Sequence, residues 1–381
     1  RQGVNSSPVQ IADYWIYAYK NKNGDYAEWV QIRSTGDLYA GEGFTMKGSH
    51  QPIAAEYDSQ NFVFVGLPHN GDISLPIASG NNYLTGNPYP CALDADAFII
   101  DNLDATSGVL YFWDDWEDNT HLFNEAHAGY AIYSLSGGVR APNYNIDTEL
   151  GNKTPQRYIG VAQGFFVSGD NAGAQIKFYN SQRAFEREGG SNESIFFKQS
   201  GKKKEQFVEE PADKRLKIRL GIESENSFNR ELLLTVDERA SYSYEKGFDA
   251  HVGQELPNDV YWMLESQKMA IQGVDQLSSN SEFPIGIRAT ANSTTKIKVN
   301  AIENGERYME VYIRDNTTMK TYDIINNHFE ITLEEGEYND KYSVVFKPWV
   351  EISDEIAISV DGELESLYQE PRVYMNNSAK E

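Results

Sequence analysis

Short runs of alternating side chains, closed off by glycine, asparagine or proline, recur along most of the chain and limit what it can fold into. GVLYFWD, GYAIYSL, QGFFVSG and AQIKFYN each have strand length with turn residues at their ends. Successive side chains of a strand point to opposite faces, so a period of two bounded by turn formers describes half-buried strands. DYWIYAYKN reads the same way, with Tyr14, Ile16 and Ala18 on one face and Trp15, Tyr17 and Tyr19 on the other. So does NFVFVGLP. The 24 tyrosines, 18 phenylalanines and 6 tryptophans add to this, because aromatic side chains pack well on pleated surfaces. Several short strands separated by turns argue for a sandwich or barrel. The fold class expected is therefore all-β, with two antiparallel β-sandwich-like domains in tandem. DADAFIIDNL is the exception: it reads as a short helix near 94–103, with Asp94 as N-cap and Asp96 in the first turn.

The 381 residues suffice for two or three domains of about 100–200 residues each. An aromatic-rich domain is expected over 1–199, truncated at its N-terminus. The stretch SGKKKEQFVEEPADK, at 200–214, is charged, carries a proline and has few apolar residues, as a linker does. RLKIRLGIES, ELLLTVDE, EFPIGIRAT, TKIKVNAI, YMEVYIRDN, HFEITLEEG and KYSVVFKP then alternate more regularly, which suggests a smaller immunoglobulin-like sandwich over 215–348. Past Pro348 the pattern weakens into an acid-rich tail, 349–381.

Charge and cysteine usage narrow the partners. With 57 acidic against 33 basic residues the formal charge is −24, which repels phosphate backbones and anionic lipids. Nucleic acid and membrane surfaces are poor partners for such a chain. The one cysteine, Cys91, forms no intramolecular disulfide and reads as a small apolar packing residue rather than a reactive thiol. No apolar run reaches the roughly 18 residues of a spanning helix, and the start at Arg1 has no signal-peptide pattern.

Two acidic–aromatic stretches carry what chemistry the sequence offers. In TGNPYPCALDADAFIIDN, Asp94, Asp96 and Asp101 are candidate oxygen ligands for Ca²⁺, although the spacing of a Ca²⁺-binding loop is absent. Asp94, Asp96 or Glu117 are also the candidate acid–base carboxylates of a glycosidase. The favoured reading is structural: Asp94 caps the helix and Asp96 satisfies backbone donors. In LYFWDDWEDNTHLF, Asp114, Asp115, Glu117, Asp118 and His121 read as a solvated loop before a metal cluster. Trp113 and Trp116 are candidate sugar-stacking surfaces, one of them expected to face the core. His50, His69, His127, His251 and His328 are scattered with no zinc spacing, and no P-loop, dinucleotide fingerprint or nucleophile elbow occurs.

Taken together, several segments resemble a known family. GEGFTMKG (41–48), FVGLPHNGDISLPI (64–77), YLTGNPYPCALDADAFIIDN (83–102), LYFWDDW (110–116), GYAIYSLSGG (129–138), TPQRYIGVAQGFFV (154–167) and IKFYNSQRAF (176–185) appear in order. They are similar to large secreted or cell-surface proteins of Bacteroidetes exported by the type IX secretion system, in the β-rich region that precedes the C-terminal sorting domain. RLKIRLGIES, YEKGFDAHVG, MAIQG, FPIGIRA and KYSVVFKP match the next module, and PRVYMNNSAKE resembles the entry to the sorting domain, expected beyond Glu381. The resemblance implies a piece of a longer protein, secreted or held on the outer face of the outer membrane. It implies the translocon or a shuttle protein as partner, and it carries no catalytic residue across.

Three functions follow as expectations. The first is a non-catalytic module of a surface protein serving adhesion, gliding or spacing, in contact with surface polysaccharide or other surface proteins. The second is a carbohydrate-binding module using Trp113 and Trp116, with Trp29 beside them. The third is a glycoside hydrolase-type region. A bound Ca²⁺ is compatible with each.

Overall fold

Every second side chain of the strand Leu110–Asp115 is buried, Leu110, Phe112 and Asp114, while Trp113 and Asp115 point out. The same alternation recurs in Gly164–Ser168 and Ala174–Phe178, strands of the first of two layered lobes. A computed structural model describes residues 13–46, 65–116, 128–142, 150–186, 213–224, 230–305 and 309–348. The first lobe holds β1 (Tyr17–Ala18), β2 (Val30–Gln31), β3 (Ile73–Ile77), β4 (Asn82–Gly86), β5 (Ala92–Asp94), α1 (Ala95–Asp101) and β6 (Leu110–Asp115). It continues with β7 (Ala128–Ser134), β8 (Gly137–Val139), β9 (Tyr158–Ile159), β10 (Gly164–Ser168), β11 (Ala174–Phe178) and β12 (Arg183–Ala184). Its main sheet runs β4-β10-β6-β7-β8, flanked by the smaller sheets β11-β3 and β12-β5-β9. All of these pairs are antiparallel.

Helix α1 closes the core of this lobe. Asp94 caps it, and Ala95, Phe98 and Ile99 bury one face at helical spacing. Phe98 lies 5.4 Å from Phe165 of β10 and 5.0 Å from Phe178 of β11, centroid to centroid, so the helix joins two sheets. Asn102 ends the helix. Its Nδ2 donates to the carbonyls of Phe98 and Lys177, and its Oδ1 accepts from Lys177 N at 2.7 Å.

The second lobe contains β13 (Lys217–Ser224), β14 (Arg230–Val236), β15 (Ala250–His251), β16 (Asp259–Leu264), β17 (Gln267–Val274) and β18 (Glu282–Ala289). It ends with β19 (Ser293–Glu303), β20 (Met309–Asp315), β21 (Thr321–Asp323), β22 (Phe329–Leu333) and β23 (Gly336–Pro348). These form one sheet in the order β21-β20-β23-β18-β16-β17-β14-β13-β19-β22, with β15 beside β17. The pairing β14–β17 is parallel; the others are antiparallel. Bulges at Arg219/Leu220 and Ile285/Ile287 bend the sheet around a core centred on Trp262, whose Nε1 donates to Leu233 O. Its two ends meet: Ile324 N donates to Val311 O of β20, and Ile324 O accepts from Val299 N of β19. The all-β class is thus as expected. In the second lobe the strands belong to one sheet rolled nearly closed.

Most strand readings coincide with strands, but DYWIYAYKN does not. Residues Asp13–Trp15 turn in a 3-10 helix and only Tyr17–Ala18 pair as a strand. Tyr14 and Trp15 are both exposed, whereas Ala18 and Tyr19 are both buried, so the expected two-face split is lost. The end of NFVFVGLP is likewise no strand, with Val65 and Leu67 exposed. Of the linker only Asp213 and Lys214 are described; residues 200–212 and the tail 349–381 lie outside the described residues. No helix among the described residues is long and apolar enough to cross a membrane.

Candidate functional site

Asp94 has two tasks that consume both of its oxygens. Oδ1 accepts the N–H groups of Asp96 and Ala97, the free donors of the first helical turn. Arg157, just before β9, grips the same carboxylate in two bonds, Nε to Oδ1 at 3.0 Å and Nη2 to Oδ2 at 2.7 Å. The neighbouring Asp96 faces the Tyr133 hydroxyl, which donates to Oδ1 at 2.8 Å, and lies 3.6 Å from Arg157 Nε. Asp96 therefore serves a tyrosine of β7 and not the backbone donors expected of it. Burial raises its pKa against the pull of Tyr133 and Arg157, and burial likewise lifts Tyr133 well above the usual range.

Asp101 sits at the opposite end of α1, where Oδ2 accepts from Gln182 Nε2 at 2.8 Å. The structure thus brings Asp94 and Asp96 together around a guanidinium and leaves Asp101 a helix length away. Among the described residues no group of three or more His, Cys, Asp or Glu side chains is placed to hold a metal. Glu117, Asp118, His121, His50 and His127 lie outside the described residues.

The two tryptophans of β6 and its exit part company. Trp116 packs against the core of the first lobe. Trp113 is 37% exposed and begins a row of rings across the outer face of the main sheet. Its neighbour is Tyr130 at 5.0 Å, followed by Phe166 at 5.9 Å, then Trp29 at 5.9 Å, which in turn meets Tyr19. Each contact is edge to face, so adjacent rings present no common plane. Cys91 is half-buried against the core, and Arg183 Nε approaches its sulfur at 3.3 Å.

Between Trp113 and Asp115, Asp114 turns inward and is fully buried. Lys153 Nζ stands 3.5 Å from Oδ1. Burial pushes the Asp114 carboxyl up to about 6 and lowers Lys153, and the attraction between the two offsets only part of this.

A cluster of polar contacts fastens the lobes to each other. Arg215 Nη1 donates to Leu135 O at 2.6 Å and to Asp237 Oδ2 at 2.6 Å, and its other nitrogens hold Asp213. Arg219 reaches Gly138 O, Thr235 Oγ1 reaches Ser136 O, and Ser134 Oγ reaches Phe248 O. Burial opposes ionisation of Asp237, yet hydrogen bonds from Arg239 and Arg215 outweigh it and bring the pKa down to about 2. Nearby Asp249, fully buried, accepts from the N–H groups of Glu245 and Gly273. Burial dominates there and raises it to about 7. Beneath these groups Val109, Ile132 and Val139 of the first lobe share one apolar cluster with Leu233, Ala250, Ala270 and Ile271 of the second.

Arg157, Lys153, Tyr133 and the junction arginines were not singled out by sequence reasoning. The partners of Arg157, Lys153 and Tyr133 lie far along the chain, and no local spacing signals them. A family model described as "Domain of unknown function (DUF8693)" matches residues 2–346. Comparison with curated proteins and with solved structures finds no match.

Proposed function

The chain belongs to the DUF8693 family of domains of unknown function, and within it we propose a non-catalytic role: a rigid module of an exported cell-surface protein, serving adhesion, gliding or spacing. The observation that carries this is the commitment of the acidic groups. Asp94 is spent on Arg157 and a helix end, Asp96 on Tyr133, Asp101 on Gln182 and Asp114 on Lys153. Glycoside hydrolysis needs two carboxyls facing one cleft about 5–10 Å apart; Asp94 and Asp96, the two that lie together, are both held by Arg157. Export by the type IX translocon or a shuttle protein, and contact with surface polysaccharide or other surface proteins, belong to the same proposal. They rest on the motif resemblance described above.

The test is protease shaving of intact cells that make the full-length protein. Release of peptides from residues 13–348 by an added protease supports a surface module. Protection of the whole region until the cells are lysed overturns it.

A carbohydrate-binding reading is favoured by one observation, the exposed Trp113 at the end of the aromatic row. Trp116 drops out of it, because it packs against the core. Affinity electrophoresis in gels containing polysaccharide decides: retardation that Trp113→Ala abolishes supports it, and unretarded migration in every gel removes it.

A further inference from the structure

Asp114 and Lys153 are an acid and an amine brought together largely out of reach of solvent. The carboxylate is at the inner face of β6, fully buried, opposite Gly129 of β7 in the sheet register. A Cβ on Gly151 would come within 2.7 Å of Asp114 Oδ2 and 3.1 Å of Ala141 Cβ, so glycine there makes room for the carboxyl group. A Cβ on Gly129 would strike Pro142 O. Oδ2 is buried and makes no hydrogen bond among the described residues, which is costly for an ionised carboxylate. The Lys153 side chain is itself largely buried, with its nitrogen 3.5 Å from Oδ1.

We infer that Asp114 and Lys153 join through an intramolecular amide bond between Asp114 Cγ and Lys153 Nζ. The reaction starts from the neutral pair, formed when the ammonium gives a proton to the carboxylate. Desolvation favours that transfer, since burial raises the acid and lowers the amine. The Nζ lone pair then forms the new bond to Cγ, the Cγ–OH bond breaks, and the hydroxyl leaves as water with a proton from Nζ. No oxidant or outside reactant enters. Holding the two groups in contact replaces a bimolecular encounter, and well-oriented intramolecular reactions reach effective molarities of about 10⁵–10⁸ M. The product replaces a poorly solvated ion pair and an orphaned oxygen by a neutral amide. It ties β6 to the segment before β9.

Intact-mass measurement of the purified protein tests this directly. The expected mass is lower than the sequence mass by one water, and proteolysis yields a branched peptide joining the segment of Asp114 to that of Lys153. The Lys153→Arg variant keeps a positive charge beside the carboxylate but cannot condense, so it returns to the full sequence mass. Wild-type protein at the full sequence mass overturns the inference. So does a missing water that persists in Lys153→Arg, which would place the dehydration elsewhere.

Discussion

Arg230 and Asp259 meet inside the second lobe, Nε to Oδ1 at 2.5 Å and Nη2 to Oδ2 at 2.9 Å, with both side chains almost wholly buried. The pair stands where β14 begins and β16 begins. Asp259 also accepts the N–H groups of Leu256 and Val260, and Arg230 donates to Gln254 O. Every oxygen is used, so the ions are compensated. Removing one leaves the other stranded. Arg230→Ala should lower the unfolding free energy by about 3–5 kcal/mol in a denaturant titration. Arg230→Met paired with Asp259→Leu should recover only part of that loss, because the N–H groups of Leu256 and Val260 and the carbonyl of Gln254 lose their partners.

At the helix α1, Asp94→Ala removes the cap and the Arg157 grip together. A cap alone contributes about 0.5–2 kcal/mol, and the half-exposed Arg157 adds little more after solvent screening. The loss should be local, seen as faster amide exchange of Asp96 and Ala97 before any global change. Asp94→Asn keeps an acceptor for the helix and should lose less.

The buried Asp249 carboxyl sets the pH response. It is raised to about 7 in the fold, above the roughly 3.9 of an unfolded aspartate. The folded state therefore binds this proton more tightly than the unfolded chain. Its ionisation costs stability above pH 7, and the cost is relieved as pH falls towards 4. Asp237 is lowered to about 2, so its contribution is full above pH 4 and fades only as pH drops through 2. The melting temperature should be higher at pH 5 than at pH 8, in salt high enough to screen the net charge. Asp249→Asn should shrink that difference. An equal or lower melting temperature at pH 5 would contradict the assignment.

Gly108 tests the junction between the lobes. Its φ of +74° is unfavourable for other residues, and a Cβ there would come within 2.6 Å of Gly247 Cα across the interface. Gly108→Ala should cost about 1–3 kcal/mol. If instead the lobes melt as one transition at an unchanged temperature, the close approach carries no weight.

Strands with a clean period of two, such as β6 and β10, were readable because their pattern is imposed by one buried face. Asp94 at the start of α1 was readable because capping is local. DYWIYAYKN misled because alternation states which residues would share a face if a strand formed, and Asp13–Trp15 instead coil into a turn. The rolled closure of the second sheet rests on Ile324 bridging Val299 and Val311, a meeting of distant strands that no short window contains. The site chemistry was hidden for the same reason. Arg157 lies 63 residues from Asp94, and Lys153 lies 39 from Asp114.

The strand order of the second lobe has a mechanical meaning. Its first strand, β13, is held between β14 and β19, and its last, β23, between β20 and β18. An edge strand peels away by losing its bonds one after another. A strand flanked on both sides must break two ladders at once. A pull transmitted through residues 213 and 348 therefore loads interior strands, and neither can leave the sheet without breaking both of its ladders.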